Sequence, residues 1–200
     1  MNRSANVKLP GLPTLFSAAN LISLGRVVLA PVILVLLARA TETTLYWALG
    51  IACLAAVSDV VDGYVARRRG ASEIGRYVDA ASDAIFNLAV FLGFLANAWL
   101  AAFWFATIYF AEVVVPYLGT FAKQMRQPFA VRWSARLKTS VHPIAQIAVI
   151  AAALAFPDGA ERESIAALAL GAAVAASLIY VLDHAVFTAV RAAKRADRRA

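Results

Sequence analysis

Charge is scarce in this chain. Lys, Arg, Asp and Glu make up 16% of the 200 residues, while 62% are hydrophobic, well above the share in a soluble domain. Between Ala84 and Ala111 there is no charged residue at all. That scarcity excludes an ordinary soluble fold, and the runs of Ala, Val, Leu, Ile and Phe imply a polytopic membrane protein. Cysteine is limited to Cys53. No disulfide can form within one chain, and Cys53, in an apolar run, is expected to be a small buried hydrophobe. No internal repeat and no low-complexity linker interrupts the sequence, so residues 1–200 are expected to form one domain. The N-terminus lacks an apolar stretch followed by an Ala-x-Ala site, so no cleavable signal peptide is expected.

What charge there is has a pattern. The net charge is +7, which in a soluble protein would suggest nucleic acid. Here the basic residues sit between apolar segments, so they read as determinants of membrane orientation and as contacts to anionic lipid. No nucleic-acid partner is expected.

The apolar pattern predicts an all-α fold of six transmembrane helices, each long enough to cross a hydrocarbon core of ~30 Å. Residues 13–19 could add a short interfacial helix ahead of them. The spans are expected near residues 20–38 and 45–67, then from Ile74 to a break at Asn97-Ala98-Trp99, onward to about Ala122, and near 137–156 and 164–190. The break follows from length, because an unbroken helix from 74 to 122 would be too long for one span at ~1.5 Å per residue. Gly70 is expected to stop the helix after the second span, and Pro157-Asp158-Gly159 to form a turn. With six spans both termini fall on one side. Of the 19 basic residues, only Arg39 and Arg162 lie on the other. The positive-inside rule then makes both termini cytoplasmic, in an inner (cell) membrane.

Four of the seven aspartates fall within residues 59–83. Asp59 and Asp62 share a helix face at i, i+3, as do Asp79 and Asp83 at i, i+4. They end two long apolar segments, where a carboxylate is expensive and usually marks a site. If the second and third helices pack side by side, the four converge, with no basic residue foreseen at matching depth. Clustered carboxylates need cations, and oxygen-only ligands suit hard ions such as Mg2+ or Mn2+. Two such ions ~3.5–4 Å apart can clamp a pyrophosphate for in-line displacement. Asp83 lies a turn deeper and could also take a proton from an attacking hydroxyl. Gly63 and Gly75 flank the carboxylates. A helical glycine costs ~1 kcal/mol relative to alanine, so the pair suggests close approach of a ligand. Arg67 can fork onto a phosphate.

Together Asp59, Asp62, Gly63, Ala66, Arg67, Gly75, Asp79 and Asp83 resemble the signature of the CDP-alcohol phosphotransferase (phosphatidyltransferase) family, Asp-x2-Asp-Gly-x2-Ala-Arg-x8-Gly-x3-Asp-x3-Asp. All eight residues are present, with seven residues instead of eight between Arg67 and Gly75. The stretch Asn20-Leu-Ile-Ser23-Leu-Gly-Arg26, followed by Pro31, is also similar to the first helix of family members. The resemblance implies an enzyme that displaces CMP from a CDP-alcohol with the hydroxyl of a second alcohol, usually in phospholipid synthesis. It implies that Asp59, Asp62, Asp79 and Asp83 hold two divalent ions and that Asp83 is the base. It places Gly63, Ala66, Arg67 and Gly75 around the CDP group, and it implies a homodimer. CDP-diacylglycerol is the expected donor, with the membrane lipid as its setting. A divalent-cation transporter is the alternative, but it has no need of Gly63, Ala66 and Arg67.

Arg132, Arg136 and Lys138 form a basic set on the motif's side of the membrane. Arg136-Leu-Lys138-Thr139 resembles the Lys-x-Lys-Thr stretch of phosphatidylglycerolphosphate synthases. The set would receive an acceptor that itself carries a phosphate, glycerol 3-phosphate first and an inositol phosphate second; the competing reading is a topogenic loop. Glu112 either pairs with a basic residue of another helix or lines the cavity. Asp183-His184 is expected to form a buried hydrogen-bonded pair. Trp47, Trp99, Trp104 and Trp133 read as interfacial anchors.

Overall fold

The computed structural model describes residues 18–69, 73–124, 133–157 and 159–197, with side chains at all of these except 18–20, 62–69, 73, 74, 76, 120–124, 189 and 191–197. Every element among them is helical: α1 (Ala18–Arg39), α2 (Glu42–Arg69), α3 (Glu73–Ala96), α4 (Ala102–Tyr109), a π-helical segment (Phe110–Val114), α5 (Val115–Gln124), α6 (Trp133–Ala155) and α7 (Ala160–Asp197). α4, the π segment and α5 follow one another without a break. Six stretches are long and apolar enough to cross a membrane: Leu21–Arg39, Glu42–Val61, Tyr77–Ala96, Ala102–Gly119, Trp133–Ala155 and Ala160–Thr188. The six-span all-α expectation therefore holds. The interfacial helix at 13–19 falls almost wholly outside the described residues.

The turns are built by local chemistry. After α1, Ala40 takes a left-handed φ of 45°, and Thr41 caps α2. Thr41 Oγ1 accepts from the Thr44 amide at 3.3 Å, and Thr44 Oγ1 accepts from the Thr41 amide at 3.0 Å, a reciprocal capping box. α3 ends at the expected Asn97-Ala98-Trp99 break. Ala98 has φ 55°, and Asn97 Nδ2 donates to Gly93 O and to Leu37 O of α1, both at 2.8 Å. Gly93 is there for closeness. A Cβ on it would lie 2.7 Å from Leu37 Cβ, so α1 and α3 approach too closely for any side chain.

The π segment has a visible cause. Pro116 has no amide hydrogen to continue an α-helical ladder, and the Val115 amide bonds Phe110 O, five residues back. π-Bulges of this kind cluster at functional sites. α6 and α7 each begin about four residues before the sequence pattern indicated, because the Trp133–Arg136 and Ala160–Glu163 turns, each carrying charge, continue the helices outward.

The core runs through Ile33 and Leu37 of α1, Val90, Phe91 and Phe94 of α3, Ile108 of α4, and Val149 and Ile150 of α6, all fully buried. α1 packs on both α2 and α3, and α2 also packs on α6. Large apolar side chains such as Val28, Leu54, Phe103 and Leu168 point outward, as lipid-facing residues do. Cys53 corrects the expectation drawn from its apolar surroundings. It is exposed, on the outer face of α2, because in a membrane helix the apolar residues face lipid as well as the core. Trp47, Trp99, Trp104 and Trp133 all fall at span ends.

Candidate active site

α2 and α3 are not the close pair the sequence suggested. α1 lies against both, and it brings their carboxylates together through one side chain. Arg26, only 4% exposed, reaches out of α1. Its Nη1 donates to Asp59 Oδ1 at 3.2 Å and also to Asp83 Oδ1, and its Nη2 donates to Asp79 Oδ1 at 2.7 Å. Ser23, one turn earlier on α1, donates to the same Asp79 Oδ1 at 3.0 Å. One carboxylate oxygen from each of Asp59, Asp79 and Asp83 lies within 4.8 Å of the others.

This corrects the expectation that no basic group stands at the depth of the carboxylates. An arginine inside a span must be paired, and these three aspartates pair it. The signal was present in Ser23-Leu-Gly-Arg26, where i, i+3 spacing puts both polar groups on one face. What the sequence did not reveal was the partner, 33 to 57 residues away.

Asp62, Gly63, Ala66 and Arg67 lie on the last turns of α2, where side chains are outside the described set. Asp62 follows Asp59 by three positions in the sequence of α2. Gly75 lies in the first turn of α3, half-buried, one turn before Asp79.

A cleft opens beside the cluster between α2, α3 and α6. Arg26, Asp59 and Asp83 form one wall, and Asn87, Thr139 and Gln146 line the rest. Gln146 Nε2 donates to Asn87 Oδ1 at 3.0 Å, tying α6 to α3 within it. Asp83 is the least exposed of the three carboxylates, and it borders both the cluster and the cleft.

The basic set of α6 divides. Arg132 lies outside the described residues. Arg136 is exposed, one turn before Thr139 on the stripe that continues to Pro143 and Gln146 in the cleft. Lys138 projects from another face. It is 5% exposed, with Nζ 2.8 Å from Glu112 Oε2, 3.4 Å from Ala111 O and 5.0 Å from the centre of the Tyr180 ring. Glu112 Oε1 also lies 2.8 Å from His142 Nδ1. Of the two readings open for Glu112, the structure supports pairing. His142 Nε2 is 3.0 Å from Ser177 Oγ on α7, so this polar group joins the π segment, α6 and α7.

Asp183 and His184 do not act as the single pair foreseen. Asp183 Oδ2 accepts from Ser134 Oγ at 2.6 Å, and His184 Nδ1 lies 2.9 Å from Tyr180 O. Adjacent residues on a helix do not face one another.

Fold and site together define a class: a polytopic helical membrane protein whose α1 arginine gathers carboxylates from two neighbouring spans at one end of the bundle. Residues 16–189 match the family described as CDP-alcohol phosphatidyltransferase. The chain belongs to that family, and it is a membrane transferase of phospholipid synthesis, with a CDP-alcohol substrate and an alcohol acceptor. The transporter alternative finds no support. A comparison with curated proteins returned no match.

Proposed function

We propose that the protein moves the phosphatidyl group of CDP-diacylglycerol onto the hydroxyl of a small alcohol, with release of CMP. Glycerol 3-phosphate is the first candidate acceptor and an inositol phosphate the second. The observation that carries this reading is the convergence of Asp59, Asp79 and Asp83 at the mouth of a cleft. An all-oxygen donor set with three oxygens this close fits a hard divalent ion, Mg2+ or Mn2+. Asp59, Asp62, Asp79 and Asp83 would hold two such ions, which supply charge neutralisation at the diphosphate.

The chain's own residues do the rest. Gly63, Ala66, Arg67 and Gly75 border the CDP group, the glycines leaving room for close approach and Arg67 forking onto a phosphate. The acceptor hydroxyl enters from the cleft, and Asp83, at its edge, takes the proton. The hydroxyl oxygen bonds to the lipid-side phosphorus as the bond from that phosphorus to the CMP oxygen breaks. Arg136, on the cleft stripe of α6, meets a phosphate on the acceptor, joined by Arg132. Lys138, paired with Glu112, supports that stripe from behind. The site faces the cytoplasm, from which charged acceptors come, and two chains form a homodimer.

The test is CMP release from CDP-diacylglycerol by the purified protein with a panel of acceptors. Release that depends on glycerol 3-phosphate or an inositol phosphate is expected. Release with serine but with neither phosphorylated alcohol would remove the acceptor assignment. No release with any CDP-alcohol would remove the reaction.

A further inference from the structure

The guanidinium of Arg26 stands where the carboxylates meet. All its described bonds to Asp59, Asp79 and Asp83 end on the Oδ1 atom. Its side chain is 5% exposed, while those of Asp59, Asp79 and Asp83 are 44%, 42% and 28% exposed. Arg26 therefore comes from the bundle interior, and the carboxylates present their outer side to whatever arrives from the mouth of the site. Without a cation among them, the carboxylates would repel one another. Without the carboxylates, the buried guanidinium would be an unpaired charge in a span.

We propose that Arg26 is the resident counter-ion of the cluster, competing with divalent ions for the carboxylates of Asp59, Asp79 and Asp83 and so setting how tightly the site holds metal. The inference rests on the reading of the cluster as a divalent-ion site and deepens it. A bound ion and Arg26 would be like charges sharing one set of anions. Arg26 keeps the unloaded site folded, and it holds the affinity of the loaded site down. Ser23, bonded to the same oxygen of Asp79 as Arg26, keeps that carboxylate turned toward α1 when the site is empty of metal.

The experiment is calorimetric titration of Mn2+ into the full chain in lipid nanodiscs, without substrate, for the wild type, Arg26→Gln and Arg26→Lys. Thermal unfolding in chelator and in saturating Mn2+ runs alongside. Arg26→Gln is expected to bind Mn2+ roughly tenfold or more tighter, from loss of a like charge close to the ion. Its Tm in chelator should fall, and Mn2+ should raise that Tm by more than it raises the wild type's. Arg26→Lys keeps the charge without the fork and should bind Mn2+ between the two. If Arg26→Gln binds Mn2+ no tighter than the wild type, or more weakly, the counter-ion role is wrong. Should Arg26→Gln fail to fold even with Mn2+, Arg26→Lys decides: affinity at or below the wild type's overturns the proposal. If neither the wild type nor Arg26→Lys binds Mn2+, the divalent-ion reading itself falls.

Discussion

Asp83 has two neighbours that matter, the Arg26 guanidinium and the cleft. Asp83→Asn keeps the shape of the side chain but cannot accept the proton. General-base removal costs on the order of 10²–10⁴ in rate, so CMP release at saturating substrate should drop by at least that much, since the substitution also removes one carboxylate from the set that would hold the ions. A variant turning over at the wild-type rate would move the base elsewhere. Arg136 belongs to the acceptor end. Its charge-assisted bonds to a phosphate are each worth ~1.5–3 kcal/mol, and each 1.4 kcal/mol is about tenfold. Arg136→Ala should therefore raise the acceptor KM roughly ten- to a hundredfold and leave that for CDP-diacylglycerol unchanged. A rise confined to the donor KM would refute the assignment. The aspartates were legible because their spacing is local and falls on one helix face. Arg26 was not, because its role is fixed only when α1 inserts beside both motif helices. Lys138 misled for a related reason. In sequence it stands beside Arg136, but the helix turns the two about 200° apart, at ~100° per residue, and Lys138 meets Glu112 instead.

At the scale of elements, the π segment is the least expected feature and the most constrained. It carries Glu112, 7% exposed, toward Lys138 and His142 of α6. Glu112→Gln would leave the Lys138 ammonium buried without its anion. Breaking a buried pair from one side costs ~3–5 kcal/mol, and unfolding in nanodiscs should show a loss of that size. Glu112→Gln with Lys138→Met removes both charges and should recover much of it. If the single variant is as stable as the wild type, the cluster is not what joins these helices. The spans themselves were readable from apolar length and from the Asn97 break. The π turn was readable only in part, since Pro116 flags an interruption but not its form. Helix starts at Trp133 and Ala160 were missed because their first turns carry charged residues, Arg136 in one and Glu161, Arg162 and Glu163 in the other, that interrupt the apolar run.

In the proposed six-span topology the basic residues of the whole molecule gather at one end, with only Arg39 and Arg162 of the 19 at the other, and the carboxylate site lies at the basic end. The proposed orientation, with both termini cytoplasmic, predicts that a cysteine introduced by Asp197→Cys escapes an impermeant reagent added to intact cells. Cys53 is exposed on α2, so it must first be replaced by serine. Labelling from outside would invert the topology. The measurement that bears most directly on the account is CMP release by Asp79→Asn beside the wild type, in the same nanodiscs with saturating Mg2+ or Mn2+. Asp79 takes bonds from both Arg26 and Ser23 and has no place in the cleft lining, so its loss strikes the carboxylate cluster alone. The account predicts a folded protein with CMP release abolished; wild-type turnover from that variant would contradict it.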